Sequence, residues 1–118
     1  MRFDKEIIDN VLIIRVHESQ ITMSEAPDVK TSFLAIMAGN EDCILLNMKE
    51  VKKMDSTGLG ALLFGIRQAE QHDKDFYVCE LNSKVQFLIR IARLEEVIDV
   101  FETETEALAV LNEERGDD

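Results

Sequence analysis

The segment Met54-Asp55-Ser56-Thr57-Gly58-Leu59-Gly60 concentrates the residue types in this chain best suited to chemistry. Asp55 and Ser56 can each accept hydrogen bonds from the unpaired N–H groups that open a helix. A phosphate on Ser56 would meet those donors and the positive end of the helix dipole, adding roughly −1.5 to −2 charge at one point without unfolding the domain. Two glycines in a first turn cost about 1 kcal/mol each relative to alanine in a helix interior, so they call for a reason. Without side chains, Gly58 and Gly60 allow another backbone, a nucleotide or a partner surface to approach. The plainer reading is that Asp-Ser-Thr-Gly only caps a helix. In the helix that follows, Leu59, Leu62, Leu63 and Ile66 fall at i, i+3, i+4 and i+7 and are expected to form the buried stripe. Thr57, Ala61, Phe64 and Gln68 then continue the outer surface on which Ser56 lies. Phe64 there is a docking spot, or is covered by a neighbouring loop.

The elements that must position this segment follow from pattern. Val11 to Val16, Cys43 to Met48 and Phe76 to Leu81 are short apolar runs rich in β-branched or aromatic residues, and read as interior strands. Asp9-Asn10 reads as a turn that makes Phe3 to Ile8 a hairpin partner of the first run. Ser24 is expected to cap a first helix with Pro27 in its first turn, ended by Gly39-Asn40. The second helix runs from about Thr57 to His72, after a Lys-rich loop. Ser83-Lys84-Val85-Gln86 matches a capping box for a short third helix, and Val97 to Phe101 a last strand. Thr103-Glu104-Thr105-Glu106 opens a C-terminal helix with Leu108 and Leu111 inward. A hairpin followed by alternating helices and strands predicts a single α/β domain over residues 1–118, with a mixed, mainly parallel sheet and about four α-helices.

Charge and composition narrow the function. The 118 residues include 13 Lys plus Arg and 24 Asp plus Glu, a net charge of −11, which disfavours nucleic acid and anionic membrane as partners. The last 17 residues hold seven of the acids and one base, with an acidic tail at 113–118, whereas Lys49 to Arg67 carries four bases against two acids. No apolar run reaches the roughly 18 to 20 residues of a membrane span, and no leader pattern opens the chain, so a cytoplasmic protein is expected. Cys43 and Cys79 sit in apolar runs and read as buried, reduced thiols. An enzyme is not expected: no Gly-x-Ser-x-Gly elbow or Walker A pattern is present, and His17 and His72 have no metal-ligand spacing with each other or with the cysteines. Lys84, Arg90 and Arg93 form a small basic patch with no acid between Asn82 and Leu94. It is read first as solvated surface, with an acidic partner as the alternative.

Asp55-Ser56-Thr57-Gly58-Leu59-Gly60, Ala26-Pro27 at the first helix, Ile44-Leu45-Leu46-Asn47-Met48 before the site and the final helix together resemble the STAS domains, within them the bacterial anti-sigma factor antagonists. The resemblance implies a partner-switching module. Unphosphorylated, such a protein binds an anti-sigma factor that is also a serine protein kinase, releasing a sigma factor. Phosphorylation, here at Ser56 in preference to Thr57, breaks the complex, and a serine phosphatase resets it. Thr22, Ser24, Asp55, Ser56, Thr57, Gly58, Gly60, Ala61, Phe64 and Gln68 are then the expected partner-binding residues. No cofactor is expected, since any ATP would be bound by the partner. In place of the family's Gly-Glu-Leu-Asp-like stretch this chain has Ser19-Gln20-Ile21-Thr22, with Thr22 where the acid stands. That departure supports an alternative, a non-switching STAS interaction module in a larger signalling or lipid-transport assembly.

Overall fold

The structure, a computed structural model, describes residues 1–115; Asp117 and Asp118 of the acidic tail lie outside them. Strands β1 (Phe3–Ile8) and β2 (Val11–Val16) form an antiparallel hairpin in register Phe3↔Val16 to Ile8↔Val11. The two residues between them, Asp9 and Asn10, have φ of 51° and 68°, the left-handed pair that a two-residue hairpin turn matching strand twist requires. β4 (Cys43–Asn47), β6 (Asp75–Cys79) and β7 (Asp99–Phe101) add in parallel, giving the sheet order β1-β2-β4-β6-β7. β4 is buried at every residue because both faces of the sheet are covered, which explains its unbroken apolar run.

Helices α1 (Ala26–Met37), α2 (Ser56–Gln71) and α3 (Ser83–Ile91) share one core with Leu12, Ile14, Ile44, Leu46 and Val78. On the opposite face α4 (Glu104–Arg115) places Ala107 and Leu111 against Val11, Ile13, Cys43, Leu45 and Cys79, with Leu108 packed alongside. The expected mixed, mainly parallel α/β domain with four α-helices is therefore observed. Cys43 and Cys79 are unbridged and buried on this second face, where Cys79 pairs in register with Asn47 rather than with Cys43. Burial, with Glu104 and Glu80 nearby, pushes the Cys79 thiol up to about 12, so it is inert at neutral pH.

Four local expectations need correction. The Ser19 to Thr22 stretch and the Lys-rich loop each contain a two-residue strand, β3 (Gln20–Ile21) and β5 (Lys53–Met54), paired in parallel as a separate small sheet. Ser24 does not cap α1: the N-cap is Glu25, with no side-chain cap bond. The turn into α1 is instead closed one step earlier, where the Glu25 carboxylate accepts from the Thr22 N–H (3.0 Å) and hydroxyl (2.8 Å) and the Thr22 carbonyl accepts from the N–H groups of Glu25 and Ala26. Ser83 is likewise inside α3, whose cap is Asn82 accepting from the Val85 N–H at 2.8 Å. The last strand is shortened to Asp99–Phe101 because a 3-10 turn at Leu94–Glu96 occupies its approach. By contrast, Thr103 does cap α4, accepting from the Glu106 N–H at 3.0 Å.

At the end of β2, His17 bridges two elements. Its Nε2 lies 2.7 Å from an Asp4 oxygen on β1, and its Nδ1 lies 2.8 Å from a Glu50 oxygen in the loop after β4. Only the imidazolium carries N–H at both nitrogens, so these bonds, Asp4 first and Glu50 second, hold its pKa above the ordinary 6.5. A raised pKa contributes stability that is complete below the unfolded value and is lost as pH rises through the folded one. The Tm is therefore expected to fall as pH is raised above 6.5, and H17Q to flatten that dependence. Thermal denaturation across this pH range checks it.

Candidate functional site

Ser56 is the first residue of α2 and is exposed. Asp55, extended at φ −117°, ψ −175°, is the N-cap, and its two carboxylate oxygens do different work. Oδ1 accepts from the Gly58 N–H at 2.8 Å and closes the first turn, while Oδ2 accepts from the Met23 N–H at 3.1 Å. One side chain thus fixes the helix start and pins the Thr22–Ser24 loop beside it. The N–H groups of Ser56 and Thr57 and both their hydroxyls have no hydrogen-bond partner among the described residues. Two unpaired donors and an open hydroxyl at the positive end of a 16-residue helix make a position where an added phosphate would be received rather than resisted. Asp55→Ala is expected to remove both bonds and cost about 1 to 2 kcal/mol, with faster amide exchange at Met23. Urea unfolding and hydrogen exchange test this.

The second helix is rotated relative to the expected stripe. Its buried residues are Gly58, Ala61, Leu62, Gly65, Ile66 and Ala69, while Leu59 and Leu63 are only half-buried. The reason is close approach. A Cβ on Gly58 would stand 1.9 Å from the Ile21 carbonyl oxygen of β3, and one on Gly65 would stand 2.7 Å from the Phe33 ring of α1. Small residues therefore face inward. Gly58 and Ala61 are buried beneath the surface on which the sequence placed them, and Thr22, only 9% exposed, spends its hydroxyl on Glu25. The exposed members of the expected set are Ser24, Ser56, Thr57 and Gly60, whose missing Cβ would meet nothing within 4 Å. Asp55, Phe64 and Gln68 are partly buried, and Lys30 of α1 holds its ammonium 5.9 Å from the Phe64 ring centroid, covering part of that ring.

Two residues here escaped the sequence reading. Met23 is 72% exposed and joined through its N–H to Asp55, so it belongs to the surface around Ser56. Glu25 supplies a carboxylate on the loop where Thr22 replaced an acid, held by Thr22 and by the Gln20 amide at 3.2 Å. The bonds to Thr22 and then Gln20 hold it below its ordinary value. The pattern Thr22-x-x-Glu25 is a capping-box signature that could have revealed it. No histidine adjoins Ser56: His17 is bound to Asp4 and Glu50, and His72 caps the far end of α2, about 24 Å along the helix. Neither histidine is therefore placed to act as a base toward Ser56.

The STAS domain family matches residues 2–107 of the chain, covering both small strands, the Ser56 turn and the first turn of α4. The chain belongs to the STAS domain family. Among curated relatives, the anti-sigma F factor antagonist of Paenibacillus polymyxa is 31% identical over 68 residues, 58% of this chain and 58% of that protein. The chain thus spans somewhat over half the length of the relative it matches. An anti-sigma-factor antagonist (STAS) domain protein from Planctomyces limnophilus has the same fold, with TM-score 0.81 at 19% identity over 92% of this chain and 96% of that one. The murine solute carrier 26 family member A9 anion transporter also contains it, with TM-score 0.75 at 16% identity over 87% of this chain and 18% of that one. The same fold therefore makes up nearly all of one of these chains and under a fifth of the other. No helix among the described residues is long and apolar enough to cross a membrane.

Proposed function

We propose that this STAS domain is an anti-sigma factor antagonist that binds an anti-sigma factor with serine kinase activity through the Ser56 surface and is released by phosphorylation of Ser56. The observation that carries the reading is the exposed, unpartnered Ser56 hydroxyl at a helix start locked by Asp55 to the Thr22–Ser24 loop. In the transfer, the hydroxyl oxygen bonds to the γ-phosphorus of ATP held by the partner kinase, ADP leaves and the hydroxyl proton passes to a base of the kinase. A serine phosphatase reverses the step by hydrolysis.

Two consequences follow for the surface. The phosphate accepts from the unpaired N–H groups of Ser56 and Thr57, so the fold stays intact. It also brings roughly −1.5 to −2 charge to a segment, Lys49 to Arg67, whose formal charge is +2, so the patch becomes close to neutral. The partner then faces a desolvated dianion where it met a hydroxyl, and the complex weakens. Exposed Met23, Thr57 and Gly60 surround the serine and form the rest of the contact.

Incubation with the cognate kinase and ATP, followed by mass spectrometry, is expected to place phosphate on Ser56. S56E is expected to weaken partner binding at least about tenfold and S56A to retain it. Absence of phosphate on Ser56 and Thr57, or tight binding by S56E, would sink the switch. The fold shared with the anion transporter supports the second reading, a non-switching interaction module in a larger assembly. A pull-down that recovers a transporter ATPase in place of a sigma regulator would favour it.

A further inference from the structure

Helix α3 packs on the sheet through Val85 and Ile89, which are 1% and 0% exposed. Its other side leaves two large apolar side chains in water: Phe87 is 59% and Ile91 61% exposed. They are four residues apart and so lie together on one helix face, with Lys84 one turn before Phe87 and Arg90 three residues after it. Arg93 follows directly on the helix end. Lys84 and Arg93 have no ion pair among the described residues, and Arg90 meets only Glu95, 3.4 Å away and itself exposed. Arg93 also closes α3 at φ 60°, a left-handed position where glycine is the unstrained choice.

We propose that this face of α3 is a docking surface for an acidic amphipathic segment of a partner protein. The carboxylates of that segment meet Lys84, Arg90 and Arg93, and its apolar side chains cover Phe87 and Ile91. Charge complementarity identifies the occupant. Within a chain of net charge −11, the stretch from Asn82 to Leu94 holds three cations and no acid. A protein whose own field repels anions at long range has here a local spot that attracts one, and the paired apolar residues supply the dehydrated centre that a bare basic patch lacks. An anionic membrane fits less well, because lipid surfaces are recognised by clusters of about four to eight cations and would meet the rest of the acidic molecule as well. The surface is distinct from Ser56, although Asn82 at the start of α3 donates to the carbonyls of Val51 and Lys52 in the loop that leads to it.

The test is an NMR titration of the full chain with a synthetic helical peptide bearing glutamates on one face and leucines on the other. A counterpart with lysines in place of the glutamates is the control. Shifts are expected along residues 84–93 with the acidic peptide alone, weakening as salt is raised. R90E with R93E, and separately F87S with I91S, are each expected to lower the affinity at least about tenfold, while circular dichroism and Tm confirm that these surface variants fold. S56E is expected to leave this affinity unchanged, which separates the proposal from the switch. It is overturned if the shifts map elsewhere, if the lysine peptide binds equally, or if the variants bind like the parent. Self-association through this face in sedimentation, or binding to phosphatidylserine-containing vesicles that the same variants abolish, would also overturn it.

Discussion

Gly58→Ala is expected to destabilise the domain by about 2 to 4 kcal/mol, whereas Gly60→Ala, two residues away, leaves stability unchanged or raises it by up to about 1 kcal/mol. The difference lies in what each missing Cβ would meet. At Gly58 it would fall 1.9 Å from the Ile21 carbonyl oxygen and 2.9 Å from the Met54 Cγ, and the first of these is backbone that cannot rotate away. Relief requires either α2 or β3 to move. Because β3 is only two residues long and is paired with β5, moving it breaks the small sheet that carries both the Thr22–Ser24 loop and the approach to Ser56. The Gly58 variant should therefore lose partner affinity together with stability. At Gly60 nothing lies within 4 Å, so alanine brings only its better helix propensity. A bulkier side chain at Gly60 then reports on the partner alone: G60L should fold normally and weaken binding if the proposed contact is right. Urea unfolding of the three variants, with binding measured alongside, resolves these outcomes.

Glu104→Ala is expected to cost about 2 to 3 kcal/mol, the larger part of it from groups left behind. Glu104 opens α4, and its carboxylate accepts from Arg15 Nε (3.0 Å) and Nη2 (2.9 Å) of β2 and from Asn47 Nδ2 (2.9 Å) at the end of β4. Its own N–H donates to Glu80 at 2.8 Å. Asn47 is 8% exposed, so without Glu104 its amide would keep a buried donor unpaired, while Arg15 would retain only its bond to Glu6. The bidentate Arg15 contact, then Asn47, holds Glu104 below its ordinary 4.5. A depressed carboxylate contributes stability that is present above the unfolded pKa and is lost as pH falls through the folded one, so the domain should weaken in acid below about pH 4.5. E104Q keeps an acceptor for Asn47 but not the charge, and should show an intermediate loss with a flatter acid slope. Denaturant midpoints measured from neutral to acid pH provide the check.

Much of this molecule was readable from local pattern. The apolar runs Val11–Ile14 and Cys43–Leu46 announce interior strands, and Asp9-Asn10 announces the turn between the first two. The Ser56 motif was legible because capping residues followed by two glycines are hard to explain by helix propensity. What escaped had no periodic signal. Strands of two residues, Gln20–Ile21 and Lys53–Met54, are too short to alternate, and they exist because each supplies the other's hydrogen bonds. The inward face of α2 escaped for a different reason. Hydrophobic spacing ranks leucine above glycine as a core residue, but where Phe33 and the Ile21 carbonyl press against a helix only a residue without a side chain fits.

By itself, then, the sequence determined the α/β class, the hairpin, the four helices and the placing of a serine at a glycine-flanked helix start, since each depends on neighbours a few residues apart. Only the tertiary structure decided the strand order, the inward turn of Gly58 and Ala61, and the clasp of Asp55 on Met23. It also decided that Glu25 supplies a carboxylate on the loop where Thr22 lacks one. These depend on contacts between segments far apart in the chain, whose energies come from close packing and buried hydrogen bonds that no local pattern encodes.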